Sequence, residues 1–175
     1  GSGPDTHMRF DSNGRLGLDM GGQAYNTAYN ASELGPGWHY LAYVADAGWT
    51  TFYVNGVAVG SVNAQVTENL NYFGNHQNMY QQVGLLDDIE VFAQAFTAEQ
   101  MELAAIASYG GEGSIIFYVP FYNNEAVDYS GYGRNPTING HTWSVNENFG
   151  LGLRDNTFYH ETFLEPTVTT LTIND

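Results

Sequence analysis

Alternation of apolar and polar residues predicts β-strands along most of this chain. Residues 38–45 alternate between two faces that are both partly apolar, which is typical of a central strand. Residues 52–59 continue the alternation on both sides of the Asn-Gly pair at 55–56. Because Asn-Gly accommodates the positive φ angles of a tight turn, we predict a two-residue hairpin there, with further turns at the Asn-Gly pairs 13–14 and 139–140.

Strand patterns also occur outside this central region, namely a hairpin arm at 9–20 and strands at 85–92, 115–119 and 167–173. The strand at 85–92 begins with two aspartates, which do not suit a core face. Pro120 cannot donate to a β-ladder, so the preceding strand must end at a sheet edge or a bulge.

One short helix is predicted from Thr97. Thr97 is a good N-cap, and Gln100 three residues later completes a capping box. Met101 and Ile106 contribute to an apolar side, and the glycine pair at 110–111 is expected to end the helix. The chain therefore belongs to the all-β class, with this helix as the exception.

The composition narrows the function classes. The chain has 175 residues with no cysteine, and its 4 basic residues against 19 acids give a net charge of −15. Such a chain cannot neutralise phosphates, which excludes nucleic acid and disfavours anionic membranes. It contains no apolar run of membrane-spanning length, so direct membrane insertion is not expected. The acidity suits a secreted protein in a medium that contains calcium.

Several motifs resemble those of laminin-G-like domains, which are concanavalin A-like jelly rolls. The Trp-His pair at 38–39, the Tyr-Val-Asn-Gly hairpin at 53–56 and Leu-Asp-Asp at 86–88 are similar to the closing segment of that family. The run Asp-Tyr-Ser-Gly-Tyr-Gly at 128–133 is similar to its opening segment. The resemblance implies an antiparallel β-sandwich jelly roll whose opening and closing strands are sheet neighbours.

The two motif sets stand in the reverse of the family's order. We therefore predict one jelly-roll domain in permuted order, with strand exchange between neighbouring modules as the alternative. Its predicted parts are a tag remnant at 1–8 and a domain at 9–175, in which a closing half at 9–109 and an opening half at 115–175 are connected by a joint at 110–114.

The split order also resembles the split domain of bacterial repeats-in-toxin (RTX) adhesins, which holds a lectin module away from the adhesin axis. This resemblance implies a non-catalytic, calcium-stabilised extracellular scaffold on the bacterial cell surface. It would be a monomer whose partners are adjacent domains of the same adhesin. The alternative is a lectin module that binds glycans itself.

The resemblance implies a calcium site formed by Asp87, Asp88 and Asp128, with Asn123 as a neutral ligand. Calcium prefers such carboxylate and amide oxygens. In the alternative interpretation, Asp128 caps its own turn through backbone amides, and the aspartate pair is solvated or bonded to Arg134.

Exposed aromatic and amide side chains are weaker candidates for sugar contacts. Trp49, Tyr72, Asn75 and Tyr80 are the residues concerned, although many aromatic residues instead fill the core of a sandwich. Glycosidases place paired carboxylates beside a cleft. No strand of this chain shows their alternating Glu-x-Asp-x-Glu pattern, so we expect no enzymatic activity.

Overall fold

The computed structural model describes residues 6–67, 70, 72–74, 86–106, 114–121, 125–139, 142–145, 164–167 and 170–173. Within them it has thirteen β-strands, one α-helix and a 3₁₀ turn at Ala31–Glu33. The strands are β1 (Thr6–Phe10), β2 (Arg15–Met20), β3 (Gln23–Asn30), β4 (Leu41–Asp46), β5 (Trp49–Val54), β6 (Val57–Val62), β7 (Tyr72–Gly74), β8 (Ile89–Phe92), β9 (Ile115–Val119), β10 (Pro136–Asn139), β11 (Thr142–Val145), β12 (Leu164–Thr167) and β13 (Thr170–Ile173). The helix α1 spans Ala98–Ile106.

The chain divides into two compact units. The first unit comprises residues 1–68 and 95–108, and the second comprises 69–94 and 109–175. The predicted closing half at 9–109 therefore contributes strands to both units. The permuted single domain stays a prediction.

The first unit contains two antiparallel sheets with the strand orders β1-β2-β3 and β4-β5-β6. Buried side chains from both sheets form one core, namely Leu16, Leu18, Phe52, Val54 and Val62. Alternation along β5 directs Phe52 and Val54 into this core, as the sequence pattern predicted.

The Asn55-Gly56 hairpin is confirmed as the connection between β5 and β6. Asn55 has φ of 51° and Gly56 has φ of 81°, both in the left-handed region. The Asn55 side chain also accepts a hydrogen bond from the Tyr40 amide at 3.0 Å. His39 reinforces this link through one ring nitrogen, Nδ1, which lies 3.2 Å from the Asn55 amide nitrogen.

The helix begins as predicted. The Gln100 side chain accepts a hydrogen bond from the Thr97 amide at 2.9 Å, and the Gln100 amide donates to the Thr97 hydroxyl at 3.3 Å. This reciprocal pair is the capping box. Met101 and Ala104 supply the buried side of α1, whereas the glycine pair expected to end the helix lies outside the described residues.

In the second unit, β8 pairs antiparallel with β9. The sheet neighbourhood expected of the opening and closing strands is therefore confirmed. The core of this unit is formed by Ile89, Phe117, Val119 and Phe121. The strand predicted at 85–92 starts only at Ile89.

That later start has a local cause. Asp88 has φ of 46°, which is incompatible with a strand. The Asp87 carboxylate accepts a hydrogen bond from the Asp88 amide at 2.9 Å. Such local bonds from aspartate compete with a ladder, so the aspartate pair forms a bend before β8.

The strand predicted at 167–173 is present in the described residues as β13 and the end of β12, and residues 168–169 lie outside them. β12 and β13 pair with β11 and β10 in one common register. Because β10 and β11 pair with β13 and β12, they do not form a hairpin with each other, while Gly140 of the predicted turn lies outside the described residues.

The N-terminal hairpin arm at 9–20 is confirmed as β1 and β2, which pair antiparallel. β1 begins at Thr6, inside the segment predicted to be a tag remnant, and Thr6 pairs with Met20. Every strand pairing in the described residues is antiparallel. The predicted all-β class with one short helix is confirmed.

Candidate functional site

Asp128 organises the turn that follows β9. Its Oδ1 accepts hydrogen bonds from the amides of Tyr118 at 3.0 Å and Ser130 at 2.9 Å. Its Oδ2 accepts from the Arg134 amide at 2.9 Å. The Asp128 amide in turn donates to the Asn135 side chain at 2.9 Å. One carboxylate thus connects a strand to both ends of a turn, as the turn-capping interpretation proposed.

The charged side chain of Arg134 also makes contacts that stabilise this turn. Its guanidinium donates to the Ile116 carbonyl at 2.5 Å and lies 4.6 Å from the centre of the Tyr132 ring. Arg134 is therefore bonded to the backbone of β9 and stacked on an exposed tyrosine. Its contact with Asp128 is through its backbone amide.

Burial raises the pKa of Asp128, but hydrogen bonds from Ser130, Tyr118 and Arg134 outweigh it and leave the pKa below its ordinary value of 3.8. The side chain is only 7% exposed. Asp128 is consequently a charged, buried acceptor whose two oxygens are already engaged by amides. The amides occupy three of the roughly four acceptor positions of the carboxylate, two on Oδ1 and one on Oδ2.

The structure says less about the other predicted calcium ligands. Asp87 and Asp88 form the bend before β8, while Asn123 lies outside the described residues. Within the described part of the chain, no three acidic or histidine side chains are grouped in a way that could hold a metal ion. Calcium therefore stays a prediction, and no functional step is derived through it.

Trp49 lies in a cleft on the first unit. The cleft has a volume of about 390 Å³ and is lined by Val44, Asp46, Trp49, Thr51, Tyr53, Ala95, Phe96 and Thr97. We call it the Trp49 cleft. Its sheet residues all lie on the face of β4 and β5 that is opposite the core, because side chains alternate along each strand.

The register of the sheet brings the lining residues together. Asp46 pairs directly with Trp49, and Val44 pairs with Thr51. Directly opposed residues place their Cβ atoms roughly 4.5–5.5 Å apart. The carboxylate of Asp46 and the indole of Trp49 are thus neighbours at the open end of the sheet.

The segment at 95–97 closes the other end of the cleft. Phe96 and Tyr53 are each 7% exposed, whereas Trp49 is 49% exposed. The cleft therefore has a buried aromatic floor and an accessible indole at its mouth. Sites for small ligands have this combination of apolar walls and a few polar groups.

A tight turn holds the mouth of the cleft in place. Ala47 has φ of 49° and Gly48 has φ of 87°, so the two-residue turn between β4 and β5 lies in the left-handed region. The Gly48 amide donates to the Gln65 side chain at 2.7 Å. This bond fixes the turn against the strand end beyond β6.

The remaining sugar-contact candidates are not brought to this cleft by the described structure. Tyr72 begins β7, and Asn75 and Tyr80 lie outside the described residues. Asp46 and Phe96 were missed by the sequence interpretation. Asp46 had a detectable signal, because Asp-Ala-Gly-Trp is a turn sequence that opposes its first and last residues. Phe96 had none, because it reaches the cleft from a distant part of the chain.

The comparisons with known proteins agree with this fold. A family model described as the concanavalin A-like lectin/glucanases superfamily, Laminin_G_3, matches residues 1–102. No curated protein and no solved structure matches the chain significantly. Among the described residues, no helix is long and apolar enough to cross a membrane. Since the match covers more than half of the 175 residues, the chain belongs to the concanavalin A-like lectin/glucanase superfamily and has its antiparallel β-sandwich fold.

Proposed function

We propose that this protein is a non-catalytic, extracellular carbohydrate-binding module that binds glycans in the Trp49 cleft. The observation that supports this proposal is the half-exposed Trp49 beside Asp46 in a cleft of about 390 Å³. A flat indole packs on the apolar face of a pyranose ring. The carboxylate of Asp46 and the hydroxyls of Thr51 and Thr97 supply the polar contacts that orient sugar hydroxyls.

A glucanase function fits this cleft poorly, although the superfamily includes such enzymes. Glycoside hydrolysis requires two carboxyl groups about 5–9.5 Å apart across the scissile bond. Of the described residues that line the cleft, only Asp46 carries a carboxylate. Binding without bond cleavage is the chemistry that one carboxylate and an aromatic platform support.

A glycan array tests the proposal with the wild type, Trp49→Ala and Tyr132→Ala. Tyr132 is a matched control because it is an exposed aromatic residue, 60% accessible, in the second unit. We expect the wild type and Tyr132→Ala to bind a common class of glycan. Trp49→Ala should bind it at least about tenfold more weakly, as central tryptophans do in binding sites. The proposal fails if the wild type binds no glycan, or if both variants bind equally.

The adhesin scaffold is a second candidate, and the path of the chain around β8 and β9 favours it. The Ala93 amide donates to the Ser114 carbonyl at 2.7 Å. The end of β8 and the start of β9 therefore lie next to each other. A neighbouring domain inserted at the joint 110–114 could be accommodated there without separating the paired strands.

The scaffold proposal includes the bacterial cell surface, a monomeric state and stabilisation by calcium. Size-exclusion chromatography tests the monomeric state, and thermal melts with calcium or a chelator test the stabilisation. A monomer whose melting temperature rises with calcium, and which binds nothing on the glycan array, would favour the scaffold over the carbohydrate-binding module. A dimer would favour strand exchange between neighbouring copies.

A further inference from the structure

The Trp49 cleft has an electrostatic character that restricts its ligand. Asp46 is the charged residue among those that line it, and the remaining lining residues are apolar, aromatic or hydroxyl-bearing. A carboxylate attracts a cation directly, and the face of an indole attracts it through the ring quadrupole. Both effects act at the same point, because Asp46 and Trp49 are cross-strand partners.

The rest of the protein reinforces this preference. The net charge is −15, and the chain contains no lysine. In the described structure, Arg9 and Arg15 pair with Asp19 and Asp11. Arg134 is held in the turn of the second unit. The described lining positions therefore supply no cation to receive a sulfate, phosphate or carboxylate group, and the net negative charge of the protein repels anionic ligands.

The site is also organised before the ligand arrives. The left-handed turn at Ala47 and Gly48 sets the separation of the two strand ends, and Gln65 anchors that turn. Ala47 adopts positive φ without the conformational freedom of glycine, so the surrounding structure must hold it there. Preorganised groups lose less entropy on binding, so a single carboxylate beside an indole is a more effective recognition element here than on a loose loop.

We propose that the Trp49 cleft selects glycans that carry a free, positively charged amino group. This inference rests on the proposed carbohydrate-binding function and adds its ligand class. The ammonium group lies against the Asp46 carboxylate and the indole, while the sugar ring packs on the aromatic surface and contacts the hydroxyls of Thr51 and Thr97. N-acetylation removes the charge and adds bulk, so it removes the preference.

The test compares a β-1,4-linked glucosamine tetrasaccharide with its fully N-acetylated counterpart, by calorimetry at a pH where the amine is protonated. We expect the amine form to bind the wild type about tenfold more tightly, the magnitude of a partly desolvated cation–π contact together with a charge-assisted hydrogen bond. Added salt should reduce this preference, because it screens the charges.

Two variants test whether the charge of Asp46 causes the preference for the amine. Asp46→Asn keeps the shape of the side chain and removes its charge, so it should abolish the preference for the amine. Glu102→Gln removes one charge from α1 of the same unit at an exposed position that does not line the cleft, and it should retain the preference. The inference is overturned if Asp46→Asn retains the preference, or if Glu102→Gln loses it to the same extent, because bulk acidity would then be the cause.

The outcomes also separate this inference from the function on which it rests. Equal or tighter binding of the N-acetylated sugar overturns the charge selection and leaves carbohydrate binding intact. If neither tetrasaccharide binds and the glycan array is also negative, the proposed function itself is overturned.

Discussion

Replacing Asp128 with asparagine should strongly destabilise the second unit, because one buried carboxylate organises an entire turn. In the wild type, Asp128 accepts amide hydrogen bonds from Tyr118, Ser130 and Arg134. Asparagine has nearly the same shape but only one oxygen. If that oxygen keeps the Tyr118 and Ser130 amides, the new NH₂ group faces the Arg134 amide, and two donors oppose each other.

The expected loss follows from these bonds. One hydrogen bond to a charged group is removed, which costs about 1.5–3 kcal/mol. The other two bonds change from a charged to a neutral acceptor and lose about half of their strength. We therefore expect Asp128→Asn to lower the free energy of unfolding by about 2–4 kcal/mol, which is at the upper end of ordinary single substitutions.

Urea unfolding followed by circular dichroism measures this loss, with Glu125→Gln as the control. Glu125 is exposed in the same unit, so its substitution removes one charge without removing a turn cap. Each protein is unfolded with calcium and with a chelator. A loss within about 0.5 kcal/mol of the control would refute the capping argument, since surface substitutions have effects of that size. A loss seen only with calcium would instead show that Asp128 acts as a metal ligand.

The pH dependence follows from the lowered pKa of Asp128 in the folded state, in which the hydrogen bonds outweigh the opposing effect of burial. The ionised carboxylate stabilises the fold, so its contribution is complete above the unfolded pKa of 3.8. That contribution is lost as the pH falls through the lower folded pKa. The stability difference between wild type and Asp128→Asn should be constant near neutral pH and shrink under acid conditions. A difference that stays unchanged in acid would contradict the assignment of the charge to the cap.

Two backbone positions give further predictions that the same unfolding assay measures. Gly17→Ala should cost at least about 2 kcal/mol, because its Cβ would lie 2.2 Å from a carbonyl oxygen of β3. Gly35→Ala, with open space around it, should have little effect, and equal losses would refute this steric argument. Asn55→Ala should cost about 1–2 kcal/mol more than Asn55→Gly, because φ at this position is 51°. If the two Asn55 variants are equally stable, the left-handed backbone is not the reason for asparagine there.

Local signals in the sequence predicted the elements whose geometry is determined locally. The Asn55-Gly56 turn and the capping box between Thr97 and Gln100 depend on residues within a few positions of one another, and both are confirmed. The Asn-Gly pair at 139–140 carries the same local preference. There the strands on either side pair with distant strands instead, and a short motif does not contain that information.

Local signals in the sequence likewise identified some residues of the candidate site and missed others. Trp49 was identified as an exposed aromatic candidate, and its turn sequence places Asp46 opposite it. The aromatic floor depends on Phe96, which approaches only because the segment before α1 crosses the outer face of the sheet. Asp128 was identified from the sequence as a calcium ligand or a turn cap. A carboxylate that accepts hydrogen bonds from amides and one that binds a cation have the same sequence signature. Hydrogen-bond geometry shows that Asp128 accepts backbone amides, whereas the cation stays a prediction.

Asp128 and Asp46 illustrate how the environment of a carboxylate determines its role. Asp128 is 7% exposed, and both of its oxygens accept hydrogen bonds from backbone amides, so its charge serves the fold. Asp46 lies at an exposed strand end beside a half-exposed indole, in a cleft whose other described lining residues are uncharged. The charge of Asp46 therefore acts on a ligand that enters the cleft. The stability of Asp128→Asn and the ligand selectivity of Asp46→Asn should thus respond independently, and a protein in which each substitution produced the other's effect would contradict this division of roles.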